Sequence, residues 1–312
     1  MVNYILRRVG FGILIIWAAF TAAWLILFFL PGDAVAAAGV DASDPAALEA
    51  RREALGLNRP WYVQYFVALG GAVRGDLGAT VGTGEPVSQI IGRALPNTFE
   101  LVALALVFAL VIGLVVGIAS VYPRAAWLRG LLSALPPIAI SLPSFWLGLL
   151  LLQAFSFGLG WFPAYNTGTI ASLILPALSL AITTGAYLAQ VLSSSLRVEL
   201  ASAYAEQVRA KGAARPRIVF GHALRGAALP SLNMVGILVA GMLGGTVVTE
   251  TVFSRNGLGR ELIAAVQTSE ISVVLAIVTI AALVFVVINL IVDLVTPLID
   301  RRIALTGKAV AK

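Results

Sequence analysis

The chain has a single histidine, His222, no cysteine and fifteen aspartates and glutamates, so the side chains that usually perform catalysis are scarce. Without cysteine there is no disulfide, no thiolate nucleophile and no Cys-based metal site. His222 has no carboxylate cluster beside it in the sequence, which leaves neither a metal-ligand set nor an acid–base pair. Glu100, Glu250 and Asp293 stand nearest the apolar runs, each toward a run's end. There a charge costs less than the roughly 2.5–3.5 kcal/mol charged at a helix centre, and anchoring a helix end is favoured over relaying protons. No catalytic residue, no metal ligand and no cofactor site is expected. What does concentrate is positive charge. Tyr204 to Pro230, YAEQVRAKGAARPRIVFGHALRGAALP, together with Arg197 carries six of the 21 lysines and arginines.

The elements around that island are of membrane grade. The chain is 60% hydrophobic and 12% charged, with mean hydropathy +0.97, whereas a soluble domain is about a quarter charged. Six apolar windows stand out, at Val9 to Leu30, Thr98 to Val121, Leu131 to Phe155, Ile170 to Leu192, Asn233 to Phe253 and Ile271 to Pro297. Each approaches or exceeds the roughly 20 residues that cross about 30 Å of hydrocarbon. Lipid offers no partner to a free backbone group, so each must be a helix. Arg7 and Arg8 before the first run imitate a signal peptide, but 22 apolar residues suit a retained span.

Placing the N-terminus inside puts fourteen of the 21 cations, but only four of the fifteen acids, on the inner side. That asymmetry predicts six spans with both termini cytoplasmic, and it ties the high pI to topology and anionic inner-leaflet lipid rather than to nucleic acid. One transmembrane domain is expected over residues 1–312, with a helical insert outside over about 31–97 and an inner loop over about 193–232. In the insert, Asp44 and Pro45 open one short helix that Gly56 closes, and Pro60 opens an amphipathic second, WYVQYFVALGGAV, suited to the interface. GDLGATVGTGEP then reads as a glycine-rich turn. It is not a phosphate cradle, because no strand precedes it and no Gly-Lys-Ser/Thr follows.

Pro136, Pro137, Pro143 and Pro176 predict bent third and fourth spans, which could line a pathway or simply reflect the tolerance of membrane helices for proline. Gly241, Gly244 and Gly245 suggest close helix packing in the fifth span. In the basic island Leu196, Leu200, Tyr204 and Val208 recur every four residues. This predicts a helix continuing out of the fourth span to Gly212. Pro216 then opens a second short helix, RIVFGHALRGAAL, before Pro230. Helix, glycine corner and helix make a stiff bracket joined to two spans, although composition alone would favour a solvated basic loop that only fixes topology.

The island resembles the cytoplasmic loop of permease subunits in bacterial ATP-binding-cassette importers. Their general pattern is Glu-Ala-Ala, three residues, Gly and a later Leu-Pro; here Glu206, Gln207 and Val208 precede Gly212, and Leu229-Pro230 closes. The two alanines are replaced, and the gap to proline is longer. That longer gap, with Tyr204, Arg209, Ala210, Lys211, Gly212, His222, Ala223, Leu224 and Arg225, is similar to the dipeptide, oligopeptide and nickel branch. FFLPGD, LGLNRP, GDLG, LPNTFEL, ETVFSRNGLGRELIAAV and NLIVDLVTPLIDRRI extend the likeness over nearly the whole chain. Departures fall at Ala34, at Ser269-Glu270-Ile271 and at Arg301, all away from the island.

The resemblance implies a type I importer permease fold and a multi-pass protein of the bacterial plasma membrane. It also implies half of a pathway for di- or oligopeptides. The implied partners are a second, related permease forming a heterodimer, two ATP-binding cassette subunits and an extracytoplasmic solute-binding protein, besides membrane lipid. ATP would be bound by the partners, since this chain has neither a phosphate loop nor the ATPase signature. The docking surface would comprise Tyr204, Glu206, Gln207, Arg209, Ala210, Lys211, Gly212, Ala213, Arg215, Pro216 and His222. No substrate-binding residue is implied. The competing reading is a self-sufficient secondary carrier or channel, with a membrane enzyme a distant third.

Overall fold

The computed structural model describes residues 2–29, 45–54 and 56–299, and among them it is helical, with one isolated bridge between Ala79 and Pro86 as the sole strand-like pairing. The helices are α1 Val2–Phe29, α2 Pro45–Ala54, α3 Trp61–Arg74, α4 Val87–Ala119, α5 Ala126–Ser141 and α6 Ser144–Leu151, the last running into a π-helical turn, Leu152–Gly158. α7 Ala171–Leu200 and α8 Ala203–Ala210 follow, then a π-helical stretch, Arg217–Ala223, that leads directly into α9 Leu224–Val252. α10 Leu258–Gln267 and α11 Ile271–Ile299 complete them. Asp44, Ala34 and Arg301 lie outside the described residues.

Among the described residues, five helices are long and apolar enough to cross a membrane, and a bent pair makes a sixth candidate. That pair corrects the third window: Leu131 to Phe155 is not one rod but α5 and α6, turned by 104° at Leu142 and Pro143. Proline forces the residue before it out of the helical region, and Leu142 sits at φ −91°, ψ 129°. Pro136 and Pro137 remain inside α5, Pro176 inside α7 and Pro230 inside α9. The second and fifth windows also start too late, since α4 runs through Pro96 and α9 begins before Pro230.

The described chain falls into two compact units. One comprises Glu100–Ser254 with the chain from Val287 onward; the other comprises Val2–Phe99 with Arg255–Val286. α7 is the centre of the first, with fourteen buried residues, and it packs against α4, α5, α6 and α9. Leu101, Ala105 and Ala109 of α4 meet Ala177, Leu180 and Ala181 of α7 and Val239 and Met242 of α9. Small side chains let membrane helices approach until their backbones touch. At Gly185 an added Cβ would lie 2.9 Å from the Ala109 carbonyl, so glycine alone fits there. Of the three fifth-span glycines, Gly245 is the one at a contact, its missing Cβ 2.9 Å from Leu180, while Gly241 and Gly244 face open space.

In the second unit α3 lies along α1, with Tyr65 among Phe20 and Trp24 and its hydroxyl 2.8 Å from Thr21 Oγ1. Val87, Ile90, Ile91 and Ala94 of α4 pack on Val273, Val274 and Ile277 of α11. The glycine-rich turn after Gly75 closes on itself through Thr80 N–H to the Glu85 carbonyl and Val87 N–H to the Gly78 carbonyl. It is then held from outside by Glu270. This carboxylate, 8% exposed, accepts the Val81 N–H at 2.6 Å and the Gly82 N–H at 2.9 Å. The turn does cradle an anion, and the anion is the chain's own.

Candidate functional site

The bracket is built from local signals. α7 does not run on to Gly212 as the four-residue spacing predicts; it ends at Leu200, and Ser202 starts a new helix. Ser202, extended at φ −70°, ψ 150°, accepts the Ala205 N–H on its Oγ at 3.2 Å, which satisfies one of the otherwise unpaired donors of a first helical turn. The break reassigns the stripe: Leu196 is fully buried, Leu200 and Val208 are half-buried, and Tyr204 is 56% exposed.

α8 ends in the manner expected of Gly212. Its φ is +81°, Gly212 N–H donates to the Arg209 carbonyl at 3.0 Å, and Ala213 N–H donates to the Val208 carbonyl at 3.3 Å. These two bonds are the pair that closes a helix through a left-handed glycine. Any other residue at that φ costs on the order of 1–2 kcal/mol, although a Cβ there would meet nothing within 4 Å. The corner is conformationally strict and sterically open.

Ala213 to Pro216 turn the chain, and Pro216, at φ −57°, opens the second arm. That arm is not a separate short helix: the π-helical stretch and α9 form one continuous rod. Its inner face is apolar, with Ala223 and Ala227 buried against Leu192 and Leu196 of α7, and Ile218 and Val219 also buried. The two arms are strutted by Tyr204, whose hydroxyl lies 3.1 Å from His222 Nδ1 with the rings edge-on at 5.5 Å. Gly226 lets the Glu199 carboxyl close onto the second arm, where a Cβ would stand 2.5 Å from that carboxyl carbon.

Of the residues singled out in the sequence, Tyr204, Glu206, Gln207, Arg209, Ala210, Lys211, Gly212 and Pro216 are exposed. Ala213, Arg215 and His222 are half-buried. They share one protruding elbow, except that Arg215 turns back: its Nη2 donates to the Val121 carbonyl at 3.2 Å and its guanidinium lies 5.8 Å from the Tyr122 ring centre. Ser202 was missed; a serine three residues ahead of an Ala-Glu-Gln helical run is its local signal. Among the described residues no three His, Asp or Glu side chains converge as metal ligands do. The arrangement offers a polar, exposed surface on an apolar base.

Residues 109–305 match the family described as binding-protein-dependent transport system inner membrane component, and residues 1–102 match its N-terminal companion, binding-prot-dependent transport system membrane comp, N-term. The dipeptide transport system permease protein DppB of Alkalihalophilus pseudofirmus is 32% identical, over 97% of this chain and 99% of its own length. The glutathione transport system permease protein GsiC of Pectobacterium atrosepticum is 34% identical over the same shares. Among solved structures, the MetNI methionine ABC transporter in inward-facing conformations aligns with TM-score 0.54 at 20% identity, over 68% of this chain and 97% of that one, a likeness of fold. The chain therefore belongs to the binding-protein-dependent transport system inner membrane component family, the membrane permeases of ABC importers.

Proposed function

We propose that this permease forms half of a translocation pathway for di- or oligopeptides in the plasma membrane of a bacterium, and that the elbow around Gly212 receives the stroke of a partner ATPase. The elbow observation carries this reading. A short exposed helix, α8, stands between two long apolar helices, α7 and α9, and is fixed to them by a capped start, a glycine corner and the Tyr204–His222 strut. A force applied to α8 is thus delivered to α7 and α9 rather than absorbed by a flexible loop. The basic island supports a cytoplasmic elbow and cytoplasmic termini, with six crossings if the bent α5–α6 pair is counted as one.

Two ATP-binding subunits, a second related permease and an extracytoplasmic binding protein complete the assembly in this account, with the binding protein selecting the solute. Peptide cargo is supported by relatives named for dipeptides and glutathione, which share amide-linked amino acids between charged ends. Gly212→Trp tests the elbow. The variant inserts and assembles, because the corner is sterically open, yet ATP-driven peptide uptake falls to background; full uptake by Gly212→Trp overturns the reading.

A further inference from the structure

Beneath the elbow lies a cavity of about 510 Å³ whose charged lining is entirely positive: Arg124, Arg129, Arg197, Arg209 and Arg215. A recess of about 290 Å³ shares Arg129 and Arg197 with it. Among the described residues no carboxylate lines either space, and none of the five guanidiniums makes an ion pair. Five like charges around one hollow repel each other, and the arrangement is relieved by an anion placed among them.

Three of these arginines are aimed by the protein. Arg197 Nη2 donates to Ser133 Oγ at 3.1 Å, and that hydroxyl donates to the Ser120 carbonyl at 3.3 Å. Arg209 Nη2 reaches the Leu200 carbonyl at 3.5 Å, and Arg215 is held by Val121 and Tyr122. Each guanidinium has five N–H donors, so one such bond orients the group and leaves the rest free. Arg215 Nε is buried with no hydrogen-bond partner. A planar fork of donors matches the paired oxygens of a phosphate, as it does those of a carboxylate.

The position of the cavity identifies the source of the phosphate. It opens where the apolar helices α4 and α7 end, with Leu200, Ile218 and Val219 on its wall. Tyr122 and Phe220 pair nearby at 6.0 Å, and Trp127 at the start of α5 is 73% exposed, the aromatic signature of a membrane interface. Along α5, Leu131, Leu135 and Ile138 continue from Trp127 as an exposed apolar stripe. Cation-lined pockets beside apolar helix surface suit a lipid whose headgroup is charged and whose tails lie along the helix.

We infer that this cavity is a binding site for the phosphate of an anionic phospholipid headgroup, which offsets part of the charge of the five arginines and seats the base of the elbow. The inference requires only that the chain occupy a bilayer, so it can fail without the coupling account failing. The test is native mass spectrometry of the full chain in detergent, titrated with phosphatidylglycerol, phosphatidylcholine or inorganic phosphate. The wild type should retain phosphatidylglycerol in preference to phosphatidylcholine, and millimolar inorganic phosphate should not displace it. Arg124→Gln with Arg129→Gln should weaken phosphatidylglycerol retention about thirtyfold, at about 1 kcal/mol per arginine. The charge-matched pair Arg217→Gln with Arg225→Gln, exposed and outside the cavity, should leave it nearly unchanged. Equal retention of both lipids by the wild type, equal losses in the two double variants, or displacement by inorganic phosphate would each overturn the assignment.

Discussion

Two loops of this protein solve the same problem with opposite chemistry. The turn from Gly75 to Pro86 is held by a buried charge, Glu270, whose two oxygens take the Val81 and Gly82 N–H groups. The elbow from Ser202 to Pro216 is held by local capping and by apolar packing of the following arm, and Glu206, Gln207 and Lys211 stay exposed on it while Arg215 turns inward. A buried carboxylate bound to two donors locks a loop to one arrangement, because any other strands a charge or an amide. A capped helix on an apolar base keeps its shape while leaving its polar face free to meet another protein. The contrast separates a loop tied down by the chain's own carboxylate from one whose polar face is left exposed, as the proposed coupling role requires.

Gly212→Trp is the severest way to break that contrast: uptake is lost while amide exchange in residues 80–84 stays as in the wild type. Glu270→Ala should do the reverse. Removing the acceptor of two amide bonds costs about 3 kcal/mol locally, so hydrogen exchange at Val81 and Gly82 should accelerate about a hundredfold, while Glu270→Gln, with one carbonyl oxygen left, should lose less. Unchanged exchange in Glu270→Ala would show that the turn is held by other bonds. The mildest change sharpens the elbow side: Ser202→Ala should lower protection of residues 203–210 by about 1 kcal/mol through loss of the cap, with uptake reduced but present, and Ser202→Asp should restore both. Equal protection in Ser202→Ala would mean that packing alone defines α8.

What could be read from the sequence follows the range of the interactions involved. The Gly212 corner was legible because a left-handed helix end is a local demand that glycine answers, and the motifs that carry the family likeness surround it. The break at Ser202 was hidden by the apolar repeat Leu196, Leu200, Tyr204, Val208, which spans two helices as smoothly as one. Proline announced bending without placing it, since Pro136 and Pro137 stay within α5 and Pro143 makes the 104° turn. Glu270 stood out as a departure from the family pattern, yet its role could not be read, for its partners lie 188 and 189 residues away. The five-arginine cavity likewise draws on separate stretches of chain that only the fold unites.

The chain's lack of cysteine makes the central claim directly testable, because one introduced thiol is unique. In intact cells, Lys211→Cys at the exposed tip of the elbow should crosslink through a short thiol-to-amine reagent to a protein carrying an ATP-binding cassette. The yield should change when ATP hydrolysis is blocked, and Tyr62→Cys, exposed on α3, should give no such product. Repeated failure of Lys211→Cys to capture an ATPase, in membranes that still import the peptide, would contradict the account.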